Sequence, residues 1–172
     1  MILIERATAS DAKTIVDIGL VSVEEAHRGS CSPEELNQYL EKHYNNEAIS
    51  AELSDKKNSY HIIKVDGEPA GFSKIVVDAA HADIEHTNVT KLDRIYLLSK
   101  FFNLRLGFQL LQFNIDFSKS NNQAGIWLYT WTGNTRAINF YQKNGFIIIG
   151  SHHFQVTETR YNLNHHMFLV FL

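Results

Sequence analysis

The stretch Asn134-Thr135-Arg136-Ala137-Ile138-Asn139-Phe140-Tyr141-Gln142-Lys143-Asn144-Gly145-Phe146 carries both ends of a helix in its own sequence. Asn134, in the turn Thr132-Gly133-Asn134, has a side-chain oxygen that can accept from the free N–H groups of a first turn, and Gly145 suits the left-handed backbone that stops a helix. The spacing predicts a helix over 135–144 and then a strand over 146–156. Just upstream, residues 125–131 read as a strand on which Trp127, Tyr129 and Trp131 share one face. Before it, Leu106, Leu110, Phe113 and Phe117 recur at helical spacing, with Gly107 and Leu111 beside them, until Asn121-Asn122 ends the run. Residues 91–98 make the preceding strand, joined to that helix by a loop over 99–105. Strand, helix, strand, helix, strand requires at least one crossover, so a parallel pair sits inside an otherwise antiparallel sheet.

The first half supplies the rest of the layers. Residues 2–6 alternate apolar and charged, and Thr8-Ala9-Ser10-Asp11 offers caps for a helix through Ile15, Val16 and Ile18. Ser32-Pro33-Glu34-Glu35 is the clearest helix start, with Ser32 and Glu35 spaced for a capping box and Leu36, Tyr39, Leu40 and His43 marking one face. Asn45-Asn46 ends it, and a short helical segment over 47–53 leads to a loop over 54–58. The β-rich runs 60–65 and 69–77 flank Asp66-Gly67, a tight-turn signal that makes them antiparallel neighbours. Residues 79–88 read as a polar connection and 165–172 as the last strand. The expected fold is α/β, a mixed, mostly antiparallel sheet of six or seven strands with about four helices across both faces.

Composition narrows the function classes. A chain of 172 residues with 44% apolar and 12% aromatic residues suits one domain, 1–172, with a substantial core. Sixteen basic against nineteen acidic residues give −3, which makes no case for nucleic acid or an anionic membrane and mildly favours a cationic substrate. The single cysteine, Cys31, excludes an internal disulfide and a cysteine-based zinc site, and beside a helix cap with no designated base it reads as incidental. The N-terminus lacks the basic-then-apolar pattern of a signal peptide, and no apolar run reaches spanning length, so the expected compartment is the cytoplasm.

Nine histidines raise a metal question, above all His152-His153, His165-His166 and the run from His81 to His86. Adjacent histidines on a strand point to opposite faces, so neither pair chelates one ion by itself. Alternation of His81, Asp83 and Glu85 places all three on one face if the segment is extended, where they suit a cation or a polyamine. A solvated connection is the plainer reading, and no metal is assigned.

The strand ending at Leu98, the loop and the helix starting near Leu106 present unpaired N–H groups and a positive dipole end, an anion site in principle. Followed by Asn134, Ala137, Phe140-Tyr141, Lys143 and Gly145-Phe146, this arrangement resembles the GNAT superfamily of N-acetyltransferases over nearly the whole chain. Residues 4–8 with Asp11 resemble its first strand and helix, and Asp66-Gly67 its usual hairpin. Asp93-Arg94-Ile95-Tyr96, Ile126-Trp127-Leu128 with Trp131, and Gly150-Ser151-His152 before Phe154 look most like the bacterial polyamine acetyltransferases of the PaiA type.

The resemblance implies acetyl-CoA as cosubstrate, bound where strands 92–98 and 125–131 splay apart. Backbone groups of Ile95, Tyr96 and Leu97 would bond the pantetheine amides, and N–H groups of Leu104, Arg105, Leu106, Gly107 and Phe108 would hold the pyrophosphate. Asn134 would face the cofactor, and Tyr141 matches the family's general acid. The reaction implied is direct acetyl transfer, within a ternary complex, to a primary amine of a small, polyamine-like molecule, and the resemblance admits a homodimer. An alkylammonium of pKa roughly 10.4 must lose a proton before attack. Asp93 is the leading carboxylate for that task and Glu85 the second, while an ion pair with a nearby Lys or Arg is the alternative reading of Asp93. Ending the family's loop signature on Gly107 places Phe102 where Gln or Arg is usual and Arg105 at the first glycine. Arg105 either narrows the site or pairs with a phosphate. The rival reading from this departure is a catalytically weak or inactive member acting as a ligand sensor or interaction module.

Overall fold

The computed structural model describes residues 1–171. Seven strands, β1 (Ile2–Arg6), β2 (Asn58–Val65), β3 (Glu68–Val76), β4 (Val89–Leu97), β5 (Gly125–Trp131), β6 (Ile147–Gln155) and β7 (Tyr161–Val170), form one sheet in the order β1-β2-β3-β4-β5-β7-β6. Only β4 and β5 are parallel; α4 (Leu106–Ser120) makes the crossover between them. Asp66 and Gly67 both hold positive φ, 48° and 85°, which is the backbone a two-residue hairpin between β2 and β3 needs.

Helices α1 (Ala12–His27), α2 (Pro33–His43) and α3 (Asn46–Ser54) pack on one face over Tyr60, Ile62 and Phe72. On the other face, α4 and α5 (Thr135–Lys143) pack over Ile75, Leu92, Ile126, Leu128 and Met167. Five helices form rather than about four, because Asn45 caps α3 by accepting from the Ala48 N–H at 2.8 Å and makes a full helix of the short segment. At α2 the capping box is present, with Ser32 Oγ accepting from the Glu35 N–H and the Ser32 N–H donating to the Glu35 carboxylate.

Two boundaries move from their expected places. The loop after β4 is wound into a 3₁₀ turn over Ser99–Leu104. The last strand begins at Tyr161 instead of 165, since β6 pairs with β7 as far as Tyr161; its polar Asn164 is paired by both β5 and β6 and Asn162 by β6, and both are buried; Leu172 lies outside the described residues. The connection at 77–88 lies on the part of β5 that the helices leave bare, where Ile84 packs with Val89 and Trp127, and Trp127 Nε1 donates to the Ala79 carbonyl at 2.8 Å.

The central pair is joined only at its start. Val89, Thr90 and Lys91 pair with Gly125, Ile126 and Trp127, and beyond them each strand keeps one partner, β4 with β3 and β5 with β7. A bulge begins where the two part: Lys74 pairs with Arg94 and Ile75 with Leu92, leaving Asp93 as the extra residue. A bulge bends its strand and increases local twist, which turns β4 away from β5.

Candidate active site

The parting strands open a cavity of about 1270 Å³. One wall is the free edge of β4 at Ile95, Tyr96 and Leu97; the opposite wall is β5 from Tyr129 to Trp131. At one end lies the N-terminus of α4, whose first N–H groups have no intrahelical acceptor. Unpaired strand edges beside free N–H groups and a positive dipole end suit a ligand with amides along its length and phosphates at its end.

Arg105 precedes α4 in the left-handed conformation, φ 55° and ψ 25°, as expected for a position where glycine is usual. Its side chain lines the cavity with Gly107 and Phe108. A Cβ on Gly107 would meet only Leu97 at 3.4 Å and Phe140 at 3.8 Å, so the protein's own packing tolerates one and the missing side chain serves the open space. Leu104 and Leu106 do not line the cavity: Leu104 is exposed on the 3₁₀ turn and Leu106 is core, which leaves only their backbone N–H groups to offer. Phe102 carries the Arg136 guanidinium on its ring face, 3.6 Å from the centroid, so α5 brings a cation to the turn where the signature lacks one.

Asn134 lines the cavity and caps α5, its side-chain oxygen accepting from the Ala137 N–H at 3.1 Å. Two helical turns further, Tyr141 is held between Phe140 and Phe146, 7% exposed, and lines the same cavity. Burial pushes its hydroxyl pKa up, so the group holds its proton at neutral pH. Tyr96 is likewise raised by burial, and its hydroxyl meets His27 Nε2 at 3.1 Å.

Asp93 also reaches the cavity, but its carboxylate is paired, 2.7 Å from Lys91 Nζ and 3.0 Å from Lys74 Nζ. Burial alone would raise its pKa; Lys91 and Lys74 outweigh burial and hold it at about 2. Lys74 is shared with Glu52, which in turn binds Arg94 at 3.0 Å and accepts from the Tyr60 hydroxyl at 2.7 Å. Three cations and two carboxylates thus make one part-buried network, and its geometry favours the ion-pair reading of Asp93. Glu85 stays exposed on the connection and outside the cavity lining.

The comparisons with known proteins bear on these features together. The family model described as Acetyltransferase (GNAT) family matches residues 20–146. This chain belongs to the GNAT acetyltransferase family. Its N-acetyltransferase relatives include an uncharacterized N-acetyltransferase in the pepI 3′ region of Lactobacillus delbrueckii subsp. lactis, 33% identical over 129 residues, 75% of each chain. The GNAT fold is shared with the PaiA N-acetyltransferase from Thermoplasma acidophilum, solved in complex with coenzyme A, at 20% identity, TM-score 0.78 and 99% of both chains. It is shared also with the ribosomal-protein-S18-alanine N-acetyltransferase from Escherichia coli, at 18% identity, TM-score 0.68 and coverage of 99% of this chain and 94% of that one. Among the described residues no helix of the GNAT chain is long and apolar enough to cross a membrane.

Three contributors to this GNAT site were missed in the sequence. His27 ends α1 and reaches β4 across 69 residues of chain; Arg136 meets Phe102; Glu52 closes the charge network from α3. None of the three carried a local signal in the sequence.

Proposed function

We propose that the protein transfers the acetyl group of acetyl-CoA directly to a primary amine of a small, polyamine-like molecule, both substrates being bound together. The observation that carries this reading is the joint presence, in one cavity, of two unpaired strand edges, the open N-terminus of α4 and the buried, protonated Tyr141 hydroxyl. Acetyl-CoA supplies the acetyl group as a thioester whose carbonyl is open to an amine lone pair.

Backbone groups of Ile95, Tyr96 and Leu97 bind the extended part of the cosubstrate, and N–H groups at the start of α4 take its pyrophosphate, with Arg105 and Arg136 adding charge. Tyr141 holds the proton that the leaving sulfur needs. Asn134 orients α5, and so Tyr141, through its cap. Asp93, ionised at any working pH, fixes Lys91 and Lys74, and the ammonium proton leaves by solvent in the cavity. For a cationic acceptor, Glu25 is the lining carboxylate without a cation partner among the described residues; it accepts only from the Ser99 hydroxyl at 3.1 Å. The aromatic rings of Tyr39, Trp131 and Phe154 extend that wall with faces that attract cations.

Calorimetric titration with acetyl-CoA and with CoA, at low and moderate salt, tests the cradle, and thiol release across an amine panel tests the transfer. Salt-sensitive micromolar binding with release on polyamines is expected. No binding at millimolar ligand would overturn the reading and favour a protein that keeps the fold as a sensor or interaction module.

A further inference from the structure

The connection at 77–88 brings two side chains down onto the sheet at a third. His81, Asp83 and His166 of β7 each offer one ligand-capable atom within 4.8 Å of the others. Asp83 Oδ2 lies 3.7 Å from Nδ1 of His81 and 3.7 Å from Nδ1 of His166, and the two imidazole rings are 4.1 Å apart. His166 is 1% exposed, and neither of its ring nitrogens has a hydrogen-bond partner among the described residues. A buried imidazole with neither nitrogen bonded to a protein group costs the fold free energy that a ligand at either nitrogen reduces.

The protonation pattern at His81 points the same way. The Asp83 N–H donates to His81 Nδ1 at 3.1 Å, so in the neutral ring Nδ1 carries the lone pair and Nε2, 2.6 Å from the Tyr129 hydroxyl oxygen, carries the proton. A ligating imidazole whose other N–H is held by an oxygen is the usual outer arrangement of a metal site. Gly150 borders the cluster, and a Cβ there would stand in ordinary contact, 3.9 Å, with Asp83 Oδ2 and the His166 Cβ.

We propose that His81, Asp83 and His166 form a binding site for a divalent transition ion of the zinc class, with water completing its shell. Two imidazoles and one carboxylate suit that class, whereas calcium and magnesium require oxygen ligands throughout. Ligands about 2.1 Å from a tetrahedral ion lie about 3.4 Å apart, so the two Asp83 spacings of 3.7 Å need to close by a few tenths of an ångström and the His81–His166 pair, within 4.8 Å, by up to about 1.4 Å. On binding, His81 Nδ1 exchanges the Asp83 amide for the ion. The ion then pins the connection to β7. Through the His81–Tyr129 bond it also steadies Tyr129, which stacks on His152 at 4.2 Å, both of them on the cavity wall. An effect on acceptor KM rests on the proposed acetyl transfer; ion binding does not.

The test uses the full chain, stripped with chelator and titrated with cobalt(II) chloride while the visible d–d absorption is followed, then back-titrated with zinc chloride. One saturable cobalt per chain is expected, displaced by zinc, with a rise in melting temperature. Loss of His166 threatens the core, so the discriminating variants are Asp83→Ala, whose side chain is 59% exposed, and His81→Ala. Each should weaken binding by at least about tenfold, and His153→Ala should leave it unchanged. Absence of a saturable signal up to roughly 100 µM cobalt, or a signal that survives both variants, overturns the proposal.

Discussion

The Tyr96 hydroxyl and His27 Nε2 lie 3.1 Å apart and tie the C-terminal end of β4 to the last residue of α1. Burial pushes His27 down to about 4 and Tyr96 up, so both partners are uncharged at neutral pH. Tyr96→Phe leaves the buried imidazole without that partner and should cost about 1–3 kcal/mol in chemical unfolding. Adding His27→Leu to that variant should restore part of the loss, because an apolar pair has nothing left unpaired.

Tyr141→Phe removes the proton and keeps the ring between Phe140 and Phe146. Turnover should fall by about a hundredfold or more, with acetyl-CoA affinity within about twofold of the parent by calorimetry. Unchanged turnover would take the acid role away from Tyr141.

Arg105→Gly separates two accounts of the altered loop. The left-handed backbone at Arg105 already has the shape a glycine would give, so what the variant removes is the guanidinium. Acetyl-CoA should bind about tenfold more weakly and with a shallower salt dependence, while folding stability changes by only about 1 kcal/mol. Tighter binding would mean that Arg105 obstructs the site, and no change would discard both accounts.

Asp93→Asn leaves Lys91 and Lys74 with one shared carboxylate fewer. Stability should drop by about 1–3 kcal/mol, discounted for the partial exposure of the network, and the acid limb of the pH–rate profile should keep its midpoint. Disappearance of a midpoint from that profile would restore Asp93 as the base.

Acid should weaken the fold in a defined window. His27 and His61 are each lowered by burial to about 4, His61 with help from Arg6, against roughly 6.5 in the unfolded chain. The unfolded chain therefore binds the extra protons: their contribution is complete above pH 6.5 and is lost as pH falls toward 4, about 2 kcal/mol each by pH 5. Asp93, held at about 2, keeps its contribution until pH drops below the ordinary carboxylate range. Denaturant midpoints at pH 7 and 5 check this, and His61→Phe should flatten the difference.

The parts legible in the sequence were those in which neighbouring residues decide. Asp66-Gly67, the Ser32–Glu35 box and the Asn134 cap act within a few residues and appear as read. The parallel pair followed from element order alone. The start of β7 was hidden because Asn162 and Asn164 look like a loop until β6 pairs with both and β5 with Asn164. The pairing of His166 with a segment more than 80 residues earlier, and of Arg136 with Phe102, left no local pattern, since adjacent histidines and a lone basic residue say nothing of what faces them.

The bulge at Asp93 changes what kind of mutation this protein can withstand. In the proposed cradle the contacts come mostly from main chain, so side chains along it are free to change. A change of length is another matter. Losing one codon at Asp93 would let β4 run straight in register with β3, heal the seam beside β5 and leave a well-folded sheet with nowhere to put its cosubstrate.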